Sequence, residues 1–428
     1  MPKRYAVFKP VKPNRCRIYH DPLHGAISLF NGDATEALLI RLIDTPEFQR
    51  LRRIRQLGPA SLTFHGAEAS RFTHSLGVMA VARRAMDALE QHYPELRSYR
   101  SLVLVAALLH DLGHGPLSHT SEEIFGSYHE AWTARILRES PGLRSLLLGF
   151  SADLPEQLLA VYQKRYPVPL VWQLVSSQLD CDRMDYLLRD SYYTGASYGH
   201  LDLDRILTAL RYDSPSQQLV ISPKGQAAIE HYLVVRSLMY SQVYTHRKNL
   251  AATWILRQIV HRAQNLFQRQ ELIVDEILGA WLGTKNCNNL PLDMYLRTDD
   301  VIWNYHLQRW QFHGDAVLAD LCRRYNDRDL LKAVSVSLYS TPEQQVILNQ
   351  VKRAIVALGW DPEVYSGLSH SQSRGYTLYQ QGILVKLETC LQDLSEVSPL
   401  VQTLSRQHRQ TWLIYPREVE AIVERCTA

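Results

Sequence analysis

Three imidazoles and a carboxylate crowd into one short run, LLHDLGHGPLSH at residues 108–119. His110 and His114 sit four apart there, and Asp111 adjoins His110. On a helix that spacing puts both imidazoles on one face, with Gly113 and Gly115 expected to end the helix just beyond. Imidazole with carboxylate is a donor set for Zn, Fe, Mn or Ni, while the harder Mg prefers carboxylates. The nearly continuous apolar run from Leu102 to Leu109 predicts that His110 lies inside the protein. A carboxylate there carries a heavy desolvation cost unless it meets a cation.

Two further segments offer to complete the shell. In RFTHS, Arg71 and His74 are three apart, hence on one helix face. QLDCDRMDYLLRD carries Asp180, Asp182, Asp185 and Asp190, and Asp182, Tyr186 and Asp190 fall at i, i+4 and i+8 on one stripe. Leu179, Met184, Leu187 and Leu188 predict that this helix is largely buried. Arg236, Tyr240 and Tyr244 repeat the spacing and join a cation to two rings, which suits a phosphate and a base. Arg50, Arg52, Arg53 and Arg55 form a basic cluster that suits a nucleotide or nucleic acid. Each feature also has a blander reading: a solvated acidic helix, a tyrosine packing contact, a solvated arginine face.

The elements that must position these groups are mostly helical. From about residue 36 to 334 apolar spacing predicts helices at 76–91, 101–112, 129–138, 171–190, 226–263 and 315–323. In EFQRLRRIRQL, Phe48, Leu51, Ile54 and Leu57 recur every three residues as an amphipathic stripe. RCRIYHDPLHGAISL reads as a strand or short hairpin within an N-terminal segment, 1–35. After about 335 the pattern changes: AVSVSLYS as a strand, 343–358 as a helix, YTLYQQGILVKLET as two strands about Gln380-Gln381-Gly382, a helix near 397–406, then the strand TWLIYP. The expected fold is mainly α, with a helical core over 36–334 and a smaller C-terminal α+β lobe over 335–428.

At 428 residues the chain is longer than one core usually grows. Its 46% hydrophobic and 21% charged residues exclude a disordered chain, a collagen or a disulfide-stapled mini-domain. No apolar run reaches the roughly 18 residues of a membrane span, so no membrane partner is expected. The first twenty residues hold no apolar signal-peptide core. The six cysteines are scattered without a C-x-x-C pair, which together predicts a reduced, cytoplasmic protein.

RFTHSLG, LLHDLGHGPLSH, the His-Glu pair of YHEAW and DCDRMDYLLRD follow one another in the order of the HD-domain superfamily. More narrowly, the chain resembles the deoxynucleoside triphosphate triphosphohydrolase branch, which includes the SAM-and-HD-domain enzymes of animals and their bacterial relatives. DPLHGAISL and IDTPEFQRLRRIRQLG match that branch too. The resemblance runs from about Arg17 to Val334, with weaker echoes in LSEVSP and IYP.

This resemblance implies an HD-domain helical core with His74, His110, Asp111 and Asp182 holding one divalent transition metal (Fe, Mn, Zn or Ni), with Mg on the triphosphate. It implies His114, His119, His129 and Glu130 around the reaction centre, His119 as the acid/base and His129 and Glu130 orienting it. Arg71, Arg183, Arg236, Tyr240 and Tyr244 would contact phosphates and base; Gln56, Leu57, Tyr186 and Asp190 would face the sugar. Two positions depart from the animal enzymes: Arg183 stands where they have a phosphate-binding lysine, and Tyr240 where they have a histidine. Arg17, Ile18, Asp44 and Arg52 fall at an allosteric guanine-nucleotide site of those enzymes. The implied partners are a dNTP substrate, a regulatory nucleotide and further copies of the chain, as homodimer or homotetramer. The competing expectation is an HD phosphohydrolase or nuclease acting on another nucleotide, or weak single-stranded nucleic-acid binding through the Arg50–Arg55 cluster.

Overall fold

The structure, a computed structural model, describes residues 16–284, 286–378 and 382–427. The expected turn at Gln380-Gln381 and the first fifteen residues lie outside them. The fold is mainly α, with three small sheets among the described residues. Strands β1 (Cys16–Asp21) and β2 (Gly25–Phe30) form the expected antiparallel hairpin, with Asp21 paired to Gly25. The Arg71–Glu90 helix is capped by Ser70, whose side chain accepts from the Thr73 amide. It packs against the Arg100–Leu109 and Cys181–Thr194 helices, and these three carry the metal-ligand candidates inward.

Several expected elements break. Residues 171–190 are not one helix: Pro169–Val175 stops, and Asp180 caps a new helix at Cys181 by accepting from the Ser177 and Arg183 amides. The 226–263 helix runs as Gln226–Met239, a π-helical turn at Tyr240–Tyr244, then Arg247–Gln268. The three-residue stripe of EFQRLRRIRQL folds as a four-residue helix, Pro46–Gln49, then a 3₁₀ turn, Arg50–Arg53. A period of three is the 3₁₀ repeat. Phe48, Leu51 and Ile54 are all buried by it.

Two apolar cores form. One holds the helices Arg71–Glu90, Arg100–Leu109, Cys181–Thr194 and Gln226–Met239. The other is built on the Arg247–Gln268 helix and takes in residues 303–355 and the last strand. The two interlock along the chain: Leu117 and Trp132 belong to the second core, and Tyr376, Val385 and Leu394 to the first. In the C-terminal part, β5 (Lys332–Ser335), β9 (Gln407–Tyr415) and β6 (Gly367–Arg374) form an antiparallel sheet in the order β5-β9-β6. β7 (Leu384–Lys386) and β8 (Leu391–Asp393) leave that sheet. They extend a hairpin of the helical core, β3 (Leu210–Asp213) with β4 (Gln218–Ile221), in the order β3-β4-β7-β8. β6 carries an undemonstrative polar sequence, GLSHSQSR, and its pairing is set by β9.

Candidate active site

His74 lies on the Arg71–Glu90 helix, His110 at the end of the next helix, Asp111 one residue on, and Asp182 in the first turn of Cys181–Thr194. His74 Nε2 is 3.0 Å from Asp182 Oδ1 and 3.6 Å from Asp111 Oδ2. His110 Nε2 is 3.3 Å from Asp111 Oδ1 and 3.6 Å from Asp182 Oδ1. Ligand atoms of His74, His110 and Asp182 all fall within 4.8 Å of one another.

The other ring nitrogens explain why these converge. His74 Nδ1 donates to Asp185 Oδ2 at 2.8 Å, and His110 Nδ1 donates to the Ala107 carbonyl at 2.8 Å. Each bond fixes the tautomer and leaves the Nε2 lone pair free. Both Nε2 atoms are buried without a hydrogen-bond partner. Burial alone would lower His74, but Asp182, Asp185 and Asp111 outweigh it and push it up to about 10. Negative charge that strong at two aligned lone pairs suits a divalent cation, and the donor set fits one.

The HD run is not helical throughout. The helix ends at Leu109, and residues 110–118 turn back on themselves, so His110 and His114 do not share a helix face. The turn finds its hydrogen bonds elsewhere: the Gly113 amide donates to Thr133 Oγ1, and Tyr295 Oη donates to the Gly113 carbonyl. His114 instead stacks on His129, centroids 4.0 Å apart. Burial, then the charges of Arg71 and His129, hold His114 well below its ordinary value.

Glu122 binds the histidine cluster together. Its Oε2 accepts from His119 Nδ1 at 2.7 Å, and its Oε1 accepts from His129 Nδ1 at 2.6 Å and from the His129 amide at 2.8 Å. Burial opposes ionisation of Glu122, yet the two imidazoles hold it well below the carboxylate range. Glu130, expected to orient His119, lies beside His129, and the bond to His119 is made by Glu122. The Glu130 side chain is 64% exposed, and its one ring contact is to His129 at 3.6 Å. The i, i+3 pair His119 and Glu122 was the sequence signal for this role.

Beside the donors opens a cleft of about 340 Å³. Gln56, Leu57, Arg71, His119, Tyr186, Asp190, Tyr240 and Tyr244 line it, together with Asn249, Thr253 and Trp254. Arg183 and Arg236 do not; they line a neighbouring cavity of about 310 Å³ with Lys164 and Gln178. A π-helical turn begins at Tyr240, yet the stripe holds: the Arg236 guanidinium lies 5.7 Å from the Tyr240 ring centroid, and the Tyr240 and Tyr244 rings meet edge to face at 5.1 Å. Arg71 is already engaged by Asp111 Oδ2 at 2.6 Å, Ser118 Oγ at 3.0 Å and the Gln56 carbonyl at 3.2 Å.

A search against family models matches an HD domain over residues 71–187 and an HD-associated region over 201–278. The uncharacterized protein YwfO of Bacillus subtilis is 37% identical over 413 residues, 94% of this chain and 93% of that protein. The chain belongs to the HD-domain phosphohydrolase superfamily. A phosphohydrolase of Bacteroides thetaiotaomicron has a solved structure with TM-score 0.81 and 29% identity, covering 94% of this chain and 100% of that one. The deoxynucleoside triphosphate triphosphohydrolase SAMHD1 of Danio rerio is 33% identical over 270 residues, 54% of this chain and 42% of the relative.

Away from the HD site, Arg17 and Asp44 form an exposed ion pair of 2.5 Å, Ile18 is exposed, and Arg52 lies 3.5 Å over the Phe72 ring. The rest of the arginine cluster is dispersed. Arg50 is buried and donates to the His114 and Thr298 carbonyls, Arg53 pairs with Asp299, and Arg55 pairs with Glu68. Among the described residues no helix is long and apolar enough to cross a membrane.

Asp190 gives a pH test of the cleft. Its carboxylate accepts from Tyr244 Oη at 2.9 Å, and burial, against that bond, pushes it up to about 7. The folded protein thus holds a proton that the unfolded chain releases near 4. Stability from this group is full below that value and is lost as pH rises through about 7. Asp190→Asn should therefore gain melting temperature relative to wild type between pH 4.5 and 8. Parallel calorimetric profiles would show that Asp190 ionises normally.

Proposed function

We propose that the protein is a deoxynucleoside triphosphate triphosphohydrolase, converting a dNTP and water to deoxynucleoside and inorganic triphosphate. The observation that carries this reading is the cleft, a nucleoside-sized space lined by three tyrosines, His119 and Arg71, whose guanidinium reaches the HD donor Asp111 at 2.6 Å. SAMHD1 of Danio rerio, whose name states that activity, matches over 54% of this chain.

Held by His74, His110, Asp111 and Asp182, a divalent ion (Fe, Mn, Zn or Ni, with Mg on the triphosphate) supplies Lewis acidity at the α-phosphate. The remaining work falls to this chain's side chains. Asp190, Gln56 and Leu57 close around the sugar, and Tyr186, Tyr240 and Tyr244 offer ring edges and faces to the nucleoside. Arg71 presents its unshared N–H groups toward the α-phosphate, while Arg183 and Arg236 in the adjoining cavity receive the outgoing triphosphate. His119, with Nδ1 held by Glu122, presents Nε2 to the cleft and donates a proton to the departing 5′ oxygen. His114 and His129 stack behind it and keep the imidazole edge in place. Arg17, Ile18, Asp44 and Arg52 would form a regulatory nucleotide site shared between copies in a homodimer or homotetramer.

Chromatographic product analysis with Mn²⁺ or Mg²⁺, on each dNTP singly and on the four mixed, tests this directly. Deoxynucleoside and triphosphate are the expected products, and turnover only in the mixture would show activation by a second nucleotide. No turnover in any mixture would remove the reading.

A further inference from the structure

His119 is reached through an unusual piece of backbone. Leu117 and Ser118, the two residues before it, both have positive φ, 62° and 53°. Neither is glycine, and such conformations are costly and persist only where the surroundings impose them. Here the surroundings are buried and specific. The Leu117 amide donates to Asp300 Oδ1 at 2.7 Å, and the Arg55 amide donates to Asp300 Oδ2 at 2.9 Å. Ser118 Oγ donates to the Arg55 carbonyl at 2.6 Å and accepts from Arg71 Nε at 3.0 Å. One carboxylate therefore clamps two separate backbone segments. Between them these segments bear Gln56 and Leu57 on one side and His119 on the other.

Asp300 has no local reason to be there. It opens the helix Asp300–Trp310, but Asp299 caps that helix by accepting from the Val301 and Ile302 amides. Asp300 is left to turn its carboxylate into the protein, where it is 4% exposed, does not itself line the cleft, and meets the cleft lining through the Leu117 amide. A buried carboxylate satisfied by two amides from other segments is an expensive arrangement to keep for packing alone. Gly58 closes the same corner: a Cβ there would stand 2.7 Å from the Leu117 carbonyl, and its φ is +51°. Asp300 also lies outside both stretches matched by family models, 71–187 and 201–278.

We infer that Asp300 is a positioning residue, whose carboxylate holds the Leu117–Ser118 turn in its strained form and thereby aims His119 into the cleft. The inference rests on the reading of His119 as the proton-transfer group. It makes the C-terminal half of the chain a working part of the HD site, since the helix that begins at Asp300 belongs to the second apolar core.

The test pairs a kinetic cycle with an activity-independent readout. Asp300→Asn keeps one acceptor and Asp300→Ala keeps none. Relaxing the turn should misplace His119 and cut kcat roughly 10- to 100-fold, more for alanine, with KM little changed. In a His119→Ala background the same substitutions should cost nothing further. A loss that multiplies undiminished in that background would overturn the positioning role, whereas a harmless His119→Ala would overturn the reading of His119. Hydrogen exchange followed by mass spectrometry should show faster exchange confined to peptides around 115–121 and Arg55 in either variant, with Arg71–Glu90 unchanged. Unaltered protection at 115–121 would refute the clamp even if no dNTP turnover is found.

Discussion

Asp182→Ala should strip the protein of divalent metal and lower phosphohydrolase turnover on the order of 10³-fold, while leaving it folded. Several kcal/mol of transition-state stabilisation ride on a bound ion, and each ~1.4 kcal/mol is a factor of ten in rate. Asp182 is the cleanest of the four donors to remove. Its side chain is 32% exposed, and His74 keeps Asp185 as a partner when it goes. Asp111→Ala removes the same kind of donor but also takes the 2.6 Å carboxylate from Arg71, a guanidinium only 3% exposed. An uncompensated buried charge costs about 3–5 kcal/mol, so that variant mixes loss of metal with loss of fold. Metal content after dialysis, measured by plasma mass spectrometry beside turnover and melting temperature, separates the cases. Full metal retention and normal turnover in Asp182→Ala would show that the four donors do not hold a working ion.

The reach of the sequence follows from how local each determinant is. Arg71 and His74, and the stripe Asp182, Tyr186, Asp190, sit on single helices, where spacing alone fixes direction, and the structure places them on those helices. His110 and His114 fail the same reasoning. Four-residue spacing puts side chains on one face only if the helix continues, and Thr133 and Tyr295, twenty and more residues away, supply the bonds that let it stop at Leu109. Tyr240 and Tyr244 line the cleft while Arg236, in contact with the Tyr240 ring, lines the neighbouring cavity, and no periodicity announces the π-helical turn at Tyr240.

The outer partners of the site were the least accessible. Asp185 was only one of four carboxylates until His74, 111 residues away, and His24, 161 residues away, were seen to donate to it. Glu122 reads as one exposed acid of a polar helix until His119 and His129 close on it. The C-terminal strands show the same limit. β7 and β8 have ordinary strand composition, and nothing local states that they pair with β4 in the helical core instead of with β6 and β9. Local spacing fixes which face a side chain takes, but long-range closure decides which neighbour it meets.

Asp185 carries the largest stability consequence of that closure. Its carboxylate is fully buried and accepts from His74 Nδ1 at 2.8 Å, His24 Nε2 at 2.6 Å, and Arg189 Nε and Nη2 at 2.8 and 3.0 Å. Arg189 is equally buried and has one other carboxylate partner, Asp21 at 2.8 Å. Gly77 faces this network so closely that a Cβ would stand 2.0 Å from Asp185 Oδ1. Asp185→Ala should therefore cost about 3–5 kcal/mol of folding stability, the penalty of stranding a buried charge. Asp185→Asn keeps the shape but one acceptor, and should lose less stability while still weakening metal affinity roughly 10- to 100-fold through His74. Burial would raise the Asp185 carboxyl, but Arg189 and the two histidines outweigh it and hold it well below the carboxylate range. A depressed carboxyl contributes stability at every pH above its unfolded value and loses it only in strong acid. The deficit of Asp185→Asn, read by denaturant unfolding, should not shrink from pH 8 down to pH 5 and should grow as pH falls toward 6.5, because Asp185 is one of the charges that hold His74 up. If it shrank across that range, Asp185 would be titrating within it, and the buried carboxylate could not be the fixed charge that orients His74.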